Sequence, residues 1–411
     1  MPRGSFTLVL IVLIVACTLA TSSVQAQVDT RADLLARQRA EKATQLHPYE
    51  QNKLERILLY VEENDPLKKI APHNGFFIEY GYTGKAVGSG MAFGGGWRHD
   101  VLDQRARIVL EAGQSFRGYR MARLDVSQPW LLDERLEVGV EAGYRLNPQE
   151  DFYGPGFNSA RADRVNFRFR APEVQARVMV TPVRWWNAGL RLGWMGVAVG
   201  TGTDDRYPSI EQRFSEADAP GLAEQPDYRY TDLFTTLDTR DQPGNARQGS
   251  YLGVLWRRHT DLDLDRFNFH QVDVDAQQFL PIFDKKRVIA LRVQLLTTTA
   301  ADGQEVPFYF RPTLGGANSL RSVSDYRFRD RNVLAANLEY RWEAFSGLDM
   351  ALFSDFGTVA PRVSELEFGG IRGAYGIGLR FNTYKAVFLR FDVAGGGSEG
   401  MRAFLKFSKA F

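Results

Sequence analysis

From residue 332 onward the chain alternates apolar and polar positions with a period of two, in short runs broken by turns. Leu334, Ala336, Leu338, Tyr340 and Trp342 are apolar, and Asn337, Glu339 and Arg341 lie between them. Tyr375, Ile377, Leu379 and Phe381 repeat the pattern around Ala374, Gly376, Gly378 and Arg380. Val387, Leu389, Phe391 and Val393 repeat it around Phe388, Arg390 and Asp392, and the chain ends on Leu405, Phe407 and Phe411 at even spacing. A period of two puts alternate side chains on opposite faces, so each run predicts a strand with one greasy face and one wet face. A soluble sandwich is compatible with that pattern. A transmembrane barrel requires it, with lipid outside and water or polar packing inside.

The same pattern extends back to residue 75. Sixteen strand-like segments are expected near 75–84, 86–98, 105–116, 118–129, 134–145, 162–182, 186–201, 226–238, 249–259, 265–280, 286–299, 332–343, 347–356, 371–381, 386–395 and 400–410. The connections after even-numbered segments are short, except for 239–248. Several after odd-numbered segments are long: 146–161, 202–225, 300–331 and 357–370. Short turns on one side and long loops on the other is the outer-membrane arrangement, with the short side periplasmic. Within 162–182 the apolar set passes from Val165, Phe167 and Phe169 to Val174, Ala176, Val178 and Val180, a slip of one residue. A β-bulge at Pro172 would produce it, since proline cannot donate to the ladder.

Ahead of the strands the pattern changes. Leu8 to Ala16 is an apolar run too short to span a bilayer as a helix. With Arg3 before it and Val24-Gln25-Ala26 after it, it reads as a signal peptide over 1–26. Ile14-Val15-Ala16-Cys17 offers a lipoprotein processing box as the rival reading, and Cys17 is the only cysteine. Residues 27–74 predict a short helical periplasmic extension, broken at Pro48, with Leu54, Ile57, Leu58 and Val61 on one face. After the signal no apolar run approaches about 20 residues, so no membrane helix is expected.

Composition adds little to this picture. Fifty-one basic against 49 acidic residues give a formal charge of +2, which favours neither nucleic acid nor an acidic substrate. Thirty-eight glycines and 12% aromatics suit tight turns and interfacial aromatic girdles. The fold class expected is all-β: a sixteen-stranded antiparallel transmembrane β-barrel over 75–411 behind the short helical extension.

Three stretches resemble the BamA/TamA-type outer-membrane assembly-factor superfamily, the bacterial surface-antigen barrels. They are Glu150-Asp151-Phe152-Tyr153-Gly154-Pro155-Gly156; Asp238-Thr239-Arg240-Asp241 with Pro243, Asn245, Arg247 and Gly249; and Gly315-Gly316 with the run Leu320 to Asp330. Asn337 to Trp342 and Phe353-Ser354-Asp355-Phe356-Gly357 are similar too. The resemblance covers essentially all of 75–411 and explains the long turn at 239–248. Two departures stand out. Ser322 and Val323 replace the glycine and aromatic that usually follow the loop arginine. Residues 27–74 are too few for a POTRA domain, so a barrel-only member is expected.

Candidate chemistry centres on Arg321. The 300–331 connection is long enough to fold back into a lumen, and strand parity points Asp355 and Glu339 inward. An arginine beside two buried carboxylates would be held by charge-assisted hydrogen bonds. The resemblance implies the same inward loop pinned to the aspartate of the D-x-G strand. It also implies that the chain end, with Leu405, Phe407 and Phe411, is the signal read during insertion. Asp261, Asp263 and Asp265 have the spacing of a calcium loop, but no twelfth-position glutamate follows, and a solvated loop is expected. The five histidines show no metal-ligand spacing, and no metal or cofactor is expected. No nucleophile motif points to an enzyme.

The function expected is that of a surface-antigen-type outer-membrane barrel assisting outer-membrane protein insertion or translocation. A passive or gated porin-like pore is the alternative, and an outer-membrane hydrolase a third reading. The partners expected are outer-membrane lipids and other outer-membrane or periplasmic proteins, not nucleic acid; oligomeric state is left open.

Overall fold

The computed structural model describes residues 74–81, 90–366, 370–383, 386–397 and 399–406, with Lys53, Arg56 and Tyr60. The expected signal over 1–26, all but a few positions of the 27–74 extension, and Phe407 and Phe411 lie outside the described residues. The chain divides into Met1–Tyr60 and Val61–Phe411. In the first unit the three described positions are helical and exposed.

The second unit is one antiparallel sheet whose strands pair in chain order. They are β1 Gly75–Gly81, β2 Ala92–Val101, β3 Ala106–Ser115, β4 Arg120–Trp130, β5 Leu136–Phe152, β6 Val165–Val183 and β7 Trp186–Met195. There follow β8 Tyr228–Asp238, β9 Gly249–Asp261, β10 Phe269–Ile282, β11 Arg287–Ala300 and β12 Asn332–Phe345. The last four are β13 Leu348–Ala360, β14 Arg372–Asn382, β15 Val387–Gly395 and β16 Arg402–Lys406. A seventeenth segment, Ala198–Thr201, continues the line of β7 along β6. Among the described residues sixteen strands, joined by fifteen successive antiparallel registers, make the wall of a transmembrane β-barrel.

The alternation sorts the side chains as lipid demands. Leu110, Leu124, Val140, Val174, Leu192, Leu233, Leu338, Leu352 and Ile377 are exposed on the outer face. On the inner face charges meet in pairs. Arg123 reaches Glu111 at 2.7 Å, Arg257 reaches Asp232 at 2.5 Å, Arg292 reaches Asp275 at 2.8 Å, and Arg177 sits between Asp125 and Glu137.

The β6 strand corrects one expectation. Val165, Phe167, Phe169 and Ala171 are buried, and so is Gln175, so the odd-numbered residues face inward throughout. Pro172 pairs in step with Tyr144. No bulge lies at Pro172; the apolar residues change faces because the surroundings do. Low on the strand lipid is outside, so Val174, Val178 and Val180 point out. High on the strand a packed cap is inside, so the phenylalanines point in. The bulge lies across from it, in β5, where the register shifts between Asn147 and Glu150. Pro172 acts on its other neighbour. Gly196 donates to the Pro172 carbonyl at 3.0 Å, but Pro172 has no N–H to return, and the β6–β7 ladder breaks there. Glu150 to Phe152, expected in a loop, extend β5 for the same reason: Phe152 belongs to the cap.

That cap is a second core at the extracellular end. Phe152, Phe167, Phe169, Tyr228, Phe269 and Phe308 are buried together, with Ile210 from the 202–227 loop. Phe308 sits edge-on to Phe152 and Phe167 at 5.4 and 4.9 Å. His259 stacks on Phe269 at 4.3 Å. Aromatic area in edge-to-face contact stabilises such a cluster beyond burial alone.

The loop segregation sets a topology that labelling of intact cells checks. In a Cys17→Ser background, a cysteine introduced at exposed Ala217 should react with an impermeant maleimide, and one at exposed Pro243 only after the outer membrane is permeabilised. Labelling at 243 but not 217 would invert the barrel.

Candidate functional site

The 301–331 connection leaves β11 and turns into the lumen. A two-residue ribbon, Thr313–Leu314 against Phe328–Arg329, closes its neck. Below the neck Gly315 (φ +135°) and Gly316 (φ +83°) take backbone conformations that favour glycine. Gly316 then donates to the Val323 carbonyl at 3.1 Å, and Val323 to the Leu320 carbonyl at 3.3 Å. The tight turn thus forms with Ser322 and Val323 where the family pattern has glycine and an aromatic. Leu320, Ser322 and Val323 are fully buried.

This turn carries Arg321 to the inner wall, where it is 2% exposed. Its Nε and Nη2 donate to the two carboxylate oxygens of Asp355 at 2.8 and 2.6 Å, and its backbone N–H adds a third bond at 3.1 Å. Nη1 donates to Glu339 Oε1 at 2.7 Å. The guanidinium lies 3.4 Å from the centre of the Phe353 ring. Phe353 precedes Asp355 on the same inward face of β13, so the strand supplies the aromatic surface that the loop lacks. Asn337 steadies Asp355 from β12 at 2.8 Å and reaches back to the loop at the Ser319 carbonyl, 2.7 Å. The structure therefore brings together the loop arginine that the resemblance pointed to and the two carboxylates that strand parity turned inward.

It also recruits residues that were not singled out. Arg380 of β14 donates to Glu339 at 3.1 Å and to Asp392 of β15 at 2.5 Å. Arg341 donates to Glu339 Oε2 at 2.8 Å. Arg390 approaches Asp392 at 3.1 Å and donates to the loop carbonyl of Ala317 at 2.6 Å. Their inward parity was visible in the alternation; their convergence depends on the loop path. A second tie lies closer to the neck. Arg327 approaches Glu399, at 2.9 Å, and donates to the Ser159 carbonyl at 2.8 Å. The first and third family-like stretches also meet, as Gly156 donates to the Arg329 carbonyl at 2.8 Å.

The wall is shaped to receive the loop. Gly357 faces Leu314, Gly376 faces Phe353, and Gly397 faces Ser322, each so closely that a Cβ would collide. Electrostatics keeps Arg321 charged. Burial pushes its pKa down, but Glu339 and Asp355 outweigh this, and the net shift is upward. The arrangement holds a loop; it has the geometry of a lock. Elsewhere, Asp261 accepts backbone N–H groups from Asp263, Leu264, Arg266 and Phe267 at 2.8–3.0 Å, so its carboxylate organises its own turn. Among the described residues no cluster of His, Cys, Asp and Glu is placed to hold a metal. Of the chain-end residues, Leu405 is exposed on the outer face of β16.

Comparison with known proteins agrees with this architecture. Residues 103–396 match the Omp85 superfamily domain, and the chain belongs to that superfamily. The fold is similar to that of BamA from Haemophilus ducreyi lacking POTRA domains 1-3. The TM-score is 0.61 at 18% identity, over 81% of this chain and 69% of that one. It is similar also to CdiB from Escherichia coli, with a TM-score of 0.51 at 11% identity, over 81% of this chain and 61% of the CdiB chain. This chain thus spans less than two thirds of the CdiB chain. No curated protein sequence matches it. The protein is an outer-membrane barrel of a Gram-negative-type bacterium.

Removing one partner from a buried, fully bonded ion pair typically costs about 3–5 kcal/mol, because the other charge stays buried. Arg321→Ala and Asp355→Ala should each lower the heat-modification midpoint of the folded barrel and expose 314–326 to protease. Their double variant should cost less than the sum of the two. Strictly additive losses would mean that the two groups do not act on each other.

Proposed function

We propose that the protein assists the insertion or translocation of polypeptides at the outer membrane, and that the inward loop holds the barrel closed at rest. The observation that carries this reading is the Arg321 lock. A loop held in the lumen by a buried guanidinium with bonds to two carboxylates occupies the path that passive diffusion would need. The aromatic cap adds a second obstruction at the outer mouth. The likeness to BamA and CdiB supports the fold on which such a role would rest.

A gated pore is the second reading, favoured by the paired charges on the inner wall of β3–β11, which suit a hydrated lumen. One reconstitution separates the two. Liposomes holding the purified protein should accelerate the folding of an outer-membrane protein supplied unfolded in urea several-fold over empty liposomes, read by heat-modifiable gel mobility. Equal folding rates together with steady ion conductance would overturn the proposal in favour of the pore.

A further inference from the structure

The segment 239–248 joins β8 to β9 and is long for a periplasmic turn. Neither the lock nor the cap uses it. Its own fold is tight: Asp241 accepts N–H groups from Arg247 and Gln248 at 3.0 and 3.1 Å, and donates its N–H to the Gln248 carbonyl at 3.0 Å. Its tip does not hang in solvent. Asn245 and Ala246 are buried, and Ala246 packs with Phe279, Val288 and Ala290, which point inward from β10 and β11.

From there the segment reaches past its neighbours. Arg247 Nη2 donates to both carboxylate oxygens of Asp349 at 2.9 Å, at the start of β13. Its Nη1 donates to the Lys285 carbonyl in the β10–β11 turn at 2.9 Å. Asn245 donates to the Thr383 carbonyl at 3.0 Å, and Val387 to the Gly244 carbonyl at 3.0 Å, beside a parallel bridge between Gly244 and Ala386. The turn after β8 is therefore bonded to the turn after β14. It lies inside the rim beneath the periplasmic ends of the strands between.

We propose that 239–248 is a periplasmic bar that closes the sector of the barrel mouth beneath the inward loop. Passage along the β10–β15 wall then requires release at both ends: the Arg321 lock above and the Arg247–Asp349 and Asn245–Thr383 ties below. Asp349 and Asp355 share one face of β13, so a single strand is held both by the inward loop and by the periplasmic turn. The inference rests on reading the inward loop as an obstruction of the lumen. Its test reads conductance and thiol access, not assisted folding, so the two fail separately.

Planar-bilayer conductance is compared for the full chain, for a variant lacking 316–325, for Asn245→Ala/Asp349→Ala, and for the combination. Each change alone should raise conductance little, and the combination should exceed their sum at least threefold. Adding Asn245→Cys and Thr383→Cys to the loop-deleted chain that also carries Asp349→Ala, in a Cys17→Ser background, and bridging them with a short reducible thiol crosslinker should hold conductance low until reductant is added. A loop-deleted chain that conducts as well as the combination, or that ignores the crosslink, would overturn the bar. Should the loop deletion prevent folding, thiol access in the full chain decides. Ala246→Cys should react at least tenfold more slowly than Pro243→Cys with a bulky maleimide from the periplasmic side, and Asp349→Ala should remove most of that difference. Equal rates in the unaltered background would refute the proposal.

Discussion

A guanidinium withdrawn from water must be met by carboxylates, and around Arg321 that requirement organises four strands. Asp355 on β13 and Glu339 on β12 meet it directly, and Glu339 in turn takes Arg380 from β14 and Arg341 from its own strand. Asp392 on β15 joins through Arg380 and lies 3.5 Å from Arg321 Nη1 itself. None of these carboxylates would sit comfortably on a dry wall without its arginines, and none of the arginines without them. The loop is thus the missing half of the wall. The glycines facing Leu314 and Ser322 belong to the same logic, since they let the loop come close enough for its arginine to lie against Phe353.

Much of this was legible in the sequence, because lipid enforces a simple rule on every strand. Period-two alternation located the sixteen strands, and parity alone turned Asp355 and Glu339 inward. The signal failed where its cause changed. In β6 the apolar residues move from one face to the other while the backbone keeps step, because the cap replaces lipid as the apolar surroundings. Alternation records which residues are apolar, not which side the apolar medium is on. The partnerships of Arg327 with Glu399 and of Arg247 with Asp349 were not legible at all. Each joins a connection to a residue across the lumen, and the path of a connection is set by contacts rather than by any local period.

The inner wall also explains a bland composition. A near-neutral chain with many charged residues carries no sign of a polar lumen in its net charge. Here the charges cancel locally, strand by strand, in pairs such as Arg257 with Asp232 and Arg292 with Asp275. The wall is polar enough to hold water and presents no single-sign field.

The cap carries a consequence for how the molecule comes together. Phe152, Tyr228, Phe269 and Phe308 are far apart in the chain, and they meet only after β5 to β11 have found their registers. Contacts of such long sequence separation form late, because the loop-closure entropy must be met before they reward it. By that rule the cap sets after the β5–β11 wall has paired, which leaves that sector of the outward mouth open while the strands beneath it are already joined.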